Sequence, residues 1–280
     1  MGSVTRIGVV AASSRFSKAT AAQLEAHVEA RFPGGDVKVV FHPACFANHG
    51  HFAGDDALRA RAFLEMANDP RYDAVWFARG GYGSCRIAEA VRDGLKPEAR
   101  AKRYLGYSDA GSLLATLYKE GFANVAHGPM VADISRGDGT EAIDRALDWL
   151  IKGATSGHEP SLDGRPTVAF NLTILDQLVG TALEPDLTGH VVMIEDVSEA
   201  LYRIDRMMFH LTGQASIRRI AGFRLGRVSD VTPNEPEFGL TPEEIVRYWC
   251  RRSGIPYLGA ADIGHDAANK IVPFGPNGAP

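Results

Sequence analysis

Short apolar runs and amphipathic stretches take turns along the first half of the chain, and this alternation limits the fold more than any other feature. Arg6–Ala11 is a short apolar run, and Thr20–Phe32 puts Ala21, Leu24, Val28 and Phe32 at helical spacing. Val37–Phe41 reads as a second strand and Asp56–Ala67 as a second helix. Asp73–Ala78, Ser84–Arg92, Tyr104–Tyr107 and Gly111–Glu120 repeat the pair twice more. Strands that each lead into a helix build a parallel sheet covered on both faces, so the predicted fold class is α/β.

After a helix over Ala142–Ile151, the stretch GATSGHEPSLDGRP is rich in Gly, Ser and Pro and reads as a linker. Beyond it the pattern restarts with a helix at Leu172–Leu178, a strand at His190–Ile194 and a helix at Glu199–Leu211. A strand at Gly222–Val228 and a helix at Pro242–Ser253 follow. The expected organisation is an N-terminal domain over 1–152, a linker over 153–166 and a C-terminal domain over 167–280.

Composition removes several function classes. A net charge of −4 offers no basic stripe for nucleic acid. No apolar run approaches the roughly 18 residues of a membrane helix. The early run RIGVVAA reads as a first strand rather than a signal peptide. Cys45, Cys85 and Cys250 are widely spaced, which fits a reducing compartment and no metal site. A cytoplasmic protein without nucleic-acid or membrane partners is expected.

Ligands of parallel sheets sit outside the carboxyl ends of the strands, and two strand ends here are distinctive. In WFARGGYGSCR, Gly80, Gly81 and Gly83 follow an apolar strand, but the Lys-Ser/Thr ending of a phosphate loop is missing. Gly80 and Gly81 therefore read as letting the backbone approach a reacting carbonyl, with Gly83 freeing the turn into the next helix. In GYSDA, Ser108 stands where a strand turns into a helix, as in a nucleophile elbow. The helix behind it aims free N–H groups at the same place, which suits an oxyanion. The match to G-x-S-x-G is partial, because the fifth residue is Ala110, and Ser108-Asp109 also reads as a plain helix cap.

VVMIED ends an apolar strand on Glu195 and Asp196, which reads as an acidic catalytic member or as a solvated strand end. ADIGHD places His265 after a glycine, either as a base or as a structural histidine. Ser108, Glu195 and His265 follow one of the chain orders a triad adopts. His127 in HGP is a further candidate base with no obvious carboxylate partner. His42, His49 and His51, with Asp55 and Asp56 nearby, match no usual ligand spacing and read as loop histidines.

FAGDDALRARAFLEMANDPRYDAVWFARGGYGSCRI followed by GYSDAGSLL resembles the N-terminal half of the LD-carboxypeptidases. These are cytoplasmic serine peptidases acting on murein tetrapeptides, and the family includes immunity peptidases that destroy microcin C. IEDVSEALYRIDRMMFHL and GHDAANKIVPFG resemble the family's glutamate and histidine segments, so four motifs stand in family order between Arg6 and Gly275. The resemblance implies Ser108 as nucleophile, Glu195 as the acidic member and His265 as base. It implies a flavodoxin-like N-terminal parallel-sheet domain, a smaller C-terminal α/β domain and an active site between them. It also implies a homodimer with no metal or organic cofactor. The backbone N–H of Asp109 and one from Gly80-Gly81 would then hold the oxyanion. Tyr82, Phe170 and Asn171 are expected to contact substrate, and Arg79, Arg86 and Arg203 are candidates for its free carboxylate. Ala169-Phe170 stand where a glycine pair is expected before Asn171-Leu172, which places a bulky ring near the substrate. The implied reaction releases terminal D-alanine from a muropeptide tetrapeptide. The alternatives are a microcin C-type immunity peptidase acting on an aminoacyl-nucleotide-like toxin, and a peptide-binding homologue without catalysis.

Overall fold

Four of the helix starts among the described residues coincide with side chains that satisfy free N–H groups. Ser17 accepts from the backbone of Ala19 and Thr20, Asp55 from Leu58, and Asn171 from Ile174, each just ahead of a helix. Thr241 and Glu244 close a reciprocal capping box. The computed structural model describes residues 4–276 of the 280-residue chain, so residues 1–3 and 277–280 of the expected domains lie outside it.

In the first half, β1 (Thr5–Val10), α1 (Lys18–Arg31), β2 (Val37–Phe41), α2 (Asp56–Asn68) and β3 (Ala74–Phe77) alternate as expected. α3 (Ser84–Gly94), β4 (Arg103–Gly106), α4 (Gly111–Lys119), β5 (Val125–His127) and α5 (Gly139–Lys152) continue the rhythm. In the second half come β6 (Pro166–Asn171), α6 (Leu172–Leu178), β7 (Val191–Val197), α7 (Leu201–Gly213) and β8 (Gly222–Ser229). They are followed by α8 (Pro242–Ser253), β9 (Tyr257–Ala260), β10 (Val272–Pro273) and β11 (Gly275–Pro276).

Two mostly parallel sheets result. The first has the order β10-β5-β4-β3-β1-β2, and its strands β1 to β5 are mutually parallel. From the far edge this reads 2-1-3-4-5, the doubly wound flavodoxin order, with its switch point between β1 and β3. The second sheet has the order β11-β6-β7-β8-β9, parallel from β6 to β9. The end of the chain visits both. β10 lies antiparallel on β5, pairing Val272 with His127, and β11 lies antiparallel on β6.

One apolar cluster joins Phe77, Tyr104 and Leu113 of the first half to Phe170, Val192 and Phe223 of the second. A second cluster, including Val9, Leu24, Trp76 and Leu147, fills the other face of the first sheet. Residues 153–165 are bonded down as well. Glu159 is buried, its N–H donates to the Ile271 carbonyl and its Oε1 accepts from the Asp262 N–H, both at 3.0 Å. No helix among the described residues is long and apolar enough to cross a membrane.

Candidate active site

Ser108 lies two residues beyond the end of β4, and it is half-buried while every other residue from Tyr104 to Leu117 is buried. Its φ is +58°, in the left-handed region that a side chain with a Cβ seldom adopts. An N-cap would be extended, and α4 takes Ala110 as its N-cap with no side-chain bond, so the helix-cap reading of Ser108 is overturned. α4 therefore starts with N–H groups that no side chain satisfies, directly behind a raised serine.

The neighbouring loops are held by buried polar groups. The Asp109 carboxylate is 2% exposed and accepts from the Ser13 hydroxyl and, at 2.8 Å, from the Ser84 N–H at the start of α3. The Ser84 hydroxyl donates back to the Asp109 carbonyl. A carboxylate at a helix N-terminus is favourably placed, and here it ties together the loops after β1, β3 and β4. From α2, buried Arg59 donates to the Ala12 carbonyl and, at 2.9 Å, to the Gly83 carbonyl. Neither the Asp109 side chain nor Arg59 was singled out from the sequence. An arginine within the apolar stripe Ala60, Phe63 and Met66 of α2 is the signal that points to the latter.

The glycines differ from one another. A Cβ at Gly80 would lie 2.6 Å from Ser108 Oγ, so only a bare backbone fits against the serine. Gly81 and Gly83 have φ of +126° and +125°, and a side chain at Gly81 would strike the Ser14 hydroxyl. Gly80 is therefore the glycine that touches Ser108, while Gly81 shapes the loop.

On the second sheet, β7 lies between β6 and β8 and carries Glu195 with no exposed surface and Asp196 at 2%. That overturns the reading of these acids as a solvated strand end. Asp196 is occupied by the Asn171 amide at 3.0 Å and by the Thr173 N–H and hydroxyl. Glu195 Oε2 pairs with His265 Nδ1 at 2.6 Å. The proton on Nδ1 leaves Nε2 as the free lone pair of a neutral ring. Burial works against a charged His265, but the hydrogen bond and charge of Glu195 outweigh it, and its pKa lies above the ordinary histidine value. Burial likewise pushes Glu195 above the usual carboxylate value, with His265 opposing the rise.

A glycine in mid-strand makes this pairing possible. The β7–β8 register slips between Ile194 and Asp196, opposite Gly226. A Cβ at Gly226 would lie 2.7 Å from the Ile263 carbonyl oxygen and 3.1 Å from Glu195 Cβ, so the chain leading to His265 would be pushed away. A lone Gly inside a strand pattern was the available signal.

Tyr107, next to Ser108, links the two sides. Its ring meets that of His265 edge-on at 4.9 Å and that of His127 at 5.6 Å. Its hydroxyl donates to Asp133 Oδ1 at 2.9 Å. Burial and then the Asp133 charge hold its pKa well above the ordinary tyrosine value, so the hydroxyl stays a donor.

The expected substrate contacts fare unevenly. Phe170 is corrected: it is 1% exposed and its ring packs on Phe274 at 5.2 Å, because β11 brings the chain end back beside β6. Asn171 is 6% exposed, and its amide is used by Asp196 and by the Ile174 N–H, so it orders α6 and β7 rather than facing a ligand. Tyr82 is 47% exposed and forms a loose group with His51 and Phe52. Arg86 is paired with Asp56 and Arg203 with Glu199, whereas Arg79 is exposed and bonds the Gly80 and Arg15 carbonyls. His42 is occupied by Glu65 and by the Ala44 N–H.

Residues 7–128 match the sequence profile of the LD-carboxypeptidase N-terminal domain, and residues 166–278 match that of the C-terminal domain. A Synechocystis protein that carries a carboxypeptidase name is 32% identical over 249 residues, covering 85% of this chain and 79% of that one. A Bacillus subtilis protein named for murein peptide carboxypeptidase activity is 28% identical, covering 82% of this chain and 76% of that one. Among solved structures, muramoyltetrapeptide carboxypeptidase from Oxalobacter formigenes superposes with a TM-score of 0.80 at 23% identity, over 97% of this chain and 93% of that chain. MccF in complex with glutamyl sulfamoyl guanosine also gives 0.80, at 17% identity, over 98% of this chain and 92% of that chain.

Proposed function

The chain belongs to the LD-carboxypeptidase family, and from that premise we propose that it is a cytoplasmic serine peptidase that releases terminal D-alanine from murein tetrapeptide during peptidoglycan recycling. The observation that carries the proposal is Ser108 held at a left-handed φ as the half-buried residue of an otherwise buried turn. A residue kept in strained backbone and raised at a helix N-terminus serves chemistry better than packing.

In this mechanism His265 Nε2 takes the proton from Ser108 Oγ as the oxygen attacks the scissile carbonyl. Glu195 holds the imidazole by Nδ1 and stabilises its charged form. The N–H groups of Asp109 and of the Gly80-Gly81 segment receive the oxyanion, an interaction whose loss costs about 10²- to 10³-fold in turnover. His265 returns the proton to the leaving amine of D-alanine, and water then releases the acyl group from Ser108. Arg79, whose guanidinium bonds backbone carbonyls beside Gly80, is our candidate for the terminal carboxylate. A homodimer without metal or organic cofactor completes the reading, carried by the family resemblance.

A second reading, a microcin C-type immunity peptidase, is favoured by exposed Tyr82, which offers a ring face for a nucleobase beside the glycine loop. Buried Phe170 removes the other aromatic that favoured it. Incubation with a D-alanine-terminated tetrapeptide and, separately, with an aminoacyl sulfamoyl adenosine separates the two by mass spectrometry. Loss of alanine from the peptide is the expected result. Cleavage of the nucleoside compound with an untouched tetrapeptide would replace the first reading by the second.

A further inference from the structure

His127 is a fully buried histidine to which the proposed chemistry gives no task, and it stands where the two halves of the chain meet. On one side it is the register partner of Gly106, two residues before Ser108, and on the other that of Val272 in the returning chain. Its Nε2 lies 3.1 Å from Asn269 Oδ1. The same oxygen accepts from the Gly264 N–H at 3.2 Å, and Gly264 directly precedes His265.

The protonation follows from the bonding. A backbone N–H can only donate, so the Asn269 atom facing Gly264 is its carbonyl oxygen. An oxygen that accepts from Gly264 has to accept from His127 as well, so Nε2 of His127 carries the hydrogen. Burial, partly offset by the Asn269 bond, lowers the His127 pKa to about 4, and the ring is neutral across the physiological range. Gly128 extends the contact: a Cβ there would lie 3.0 Å from Ile271 Cγ1, so the glycine of HGP lets the returning segment close on β5. Arg145 of α5 grips the Ala267 and Asn269 carbonyls from outside, but it does not reach the strand that leads to Ser108.

We propose that His127 is a positioning residue which, through Asn269, fixes the loop carrying His265 against the strand carrying Ser108. The proposal rests on the serine-peptidase reading and deepens it. A general base must be held at hydrogen-bond distance from its nucleophile with a tolerance of a fraction of an ångström, and here the two residues follow strands of different sheets, β4 and β9. The chain His127–Asn269–Gly264 sets that distance, while Glu195 sets the orientation of the ring.

The test compares His127→Phe, which keeps a ring without the donor, with His127→Gln, whose amide reaches the place of Nε2. Three quantities are read: D-alanine release with kcat and KM separated, the rate at which an alkyl fluorophosphonate modifies Ser108, and hydrogen exchange at the Gly264 amide. His127→Phe is expected to lose about 10- to 100-fold in kcat with KM little changed, as for a base misplaced by about an ångström. Modification of Ser108 should slow in parallel and Gly264 should exchange faster, and His127→Gln should recover most of all three. Asn269→Leu should add little on top of His127→Phe, because both cut the same tether. A folded His127→Phe with wild-type labelling and exchange overturns the proposal, as does a Gln variant as impaired as the Phe variant. A wild type that is labelled at Ser108 but releases no D-alanine defeats the substrate assignment, and labelling and exchange then decide the role of His127. A wild type that takes no label defeats the serine-peptidase reading and this proposal with it.

Discussion

The turn that carries Ser108 and the strand that carries Glu195 hold reactive groups still by opposite means. Around Ser108 the work is done by the backbone. The serine has a φ of +58°, Gly80 lies bare against it, and Asp109 and Arg59 bond the adjoining loops through their N–H and carbonyl groups. Around Glu195 the work is done by burial and charge. The carboxylate has no exposed surface, its Oε2 holds the His265 ring at 2.6 Å, and the ring's pKa rises as a result. A backbone device fixes position and is broken by adding atoms. An electrostatic device fixes a protonation state and is broken by removing a charge.

Of the two holding devices, the charged one should show the larger effect on turnover. Glu195→Gln keeps the size of the side chain but removes the charge, and should lower kcat by about 10²- to 10⁴-fold. The pH profile carries the sharper information. Neutral His265 is the active form, so in the wild type kcat/KM should fall as pH drops through a pKa above the ordinary 6.5. Without the Glu195 charge that limb should move to lower pH while the plateau falls, and an unmoved limb would show that Glu195 does not set the protonation of His265.

The backbone side is tested next by Gly80→Ala. The added Cβ falls 2.6 Å from Ser108 Oγ, so the serine has to move, and turnover should drop about 10²-fold. The acid limb should stay where it is, because no charge has changed. Gly81→Val is a poorer probe. Its φ of +126° and its contact with Ser14 make that substitution costly to folding as well as to turnover.

The smallest effect is one on stability, and it separates strain from chemistry. Ser108→Gly should abolish activity and yet stabilise the protein by about 1 kcal/mol, because glycine adopts a left-handed φ without penalty. Denaturant unfolding measures this, and a destabilised variant would mean that Ser108 contributes packing rather than strain.

The two sides also differ in how much the sequence disclosed. The alternation that builds the first sheet was plain, since β1 to β4 are short apolar runs followed by helices with apolar residues three and four apart. Glycines and a serine at strand ends are local signals, and they pointed to the turn at Ser108 directly. β6 is hidden because its residues after Pro166 are all buried, so it shows no alternation, and its first residue, a proline, continues the Gly-, Ser- and Pro-rich stretch before it. β10 and β11 span two residues each and have no periodicity to read. The misreading of Phe170 has the same origin. A large ring before Asn171 suggests a binding face, and only the return of Phe274, over a hundred positions later, covers it. The buried links from Tyr107 to His265 and from His127 to Asn269 also depend on contacts between distant segments, which spacing along the chain does not encode.

The most direct measurement follows D-alanine release from a tetrapeptide by the wild type and by Ser108→Ala, with the mass of the intact protein recorded during turnover. If Ser108 is the nucleophile, the wild type releases alanine and gains the mass of the acyl fragment, whereas Ser108→Ala binds the peptide, gains nothing and is slower by about 10⁴-fold or more. Alanine release by Ser108→Ala at the wild-type rate would contradict it.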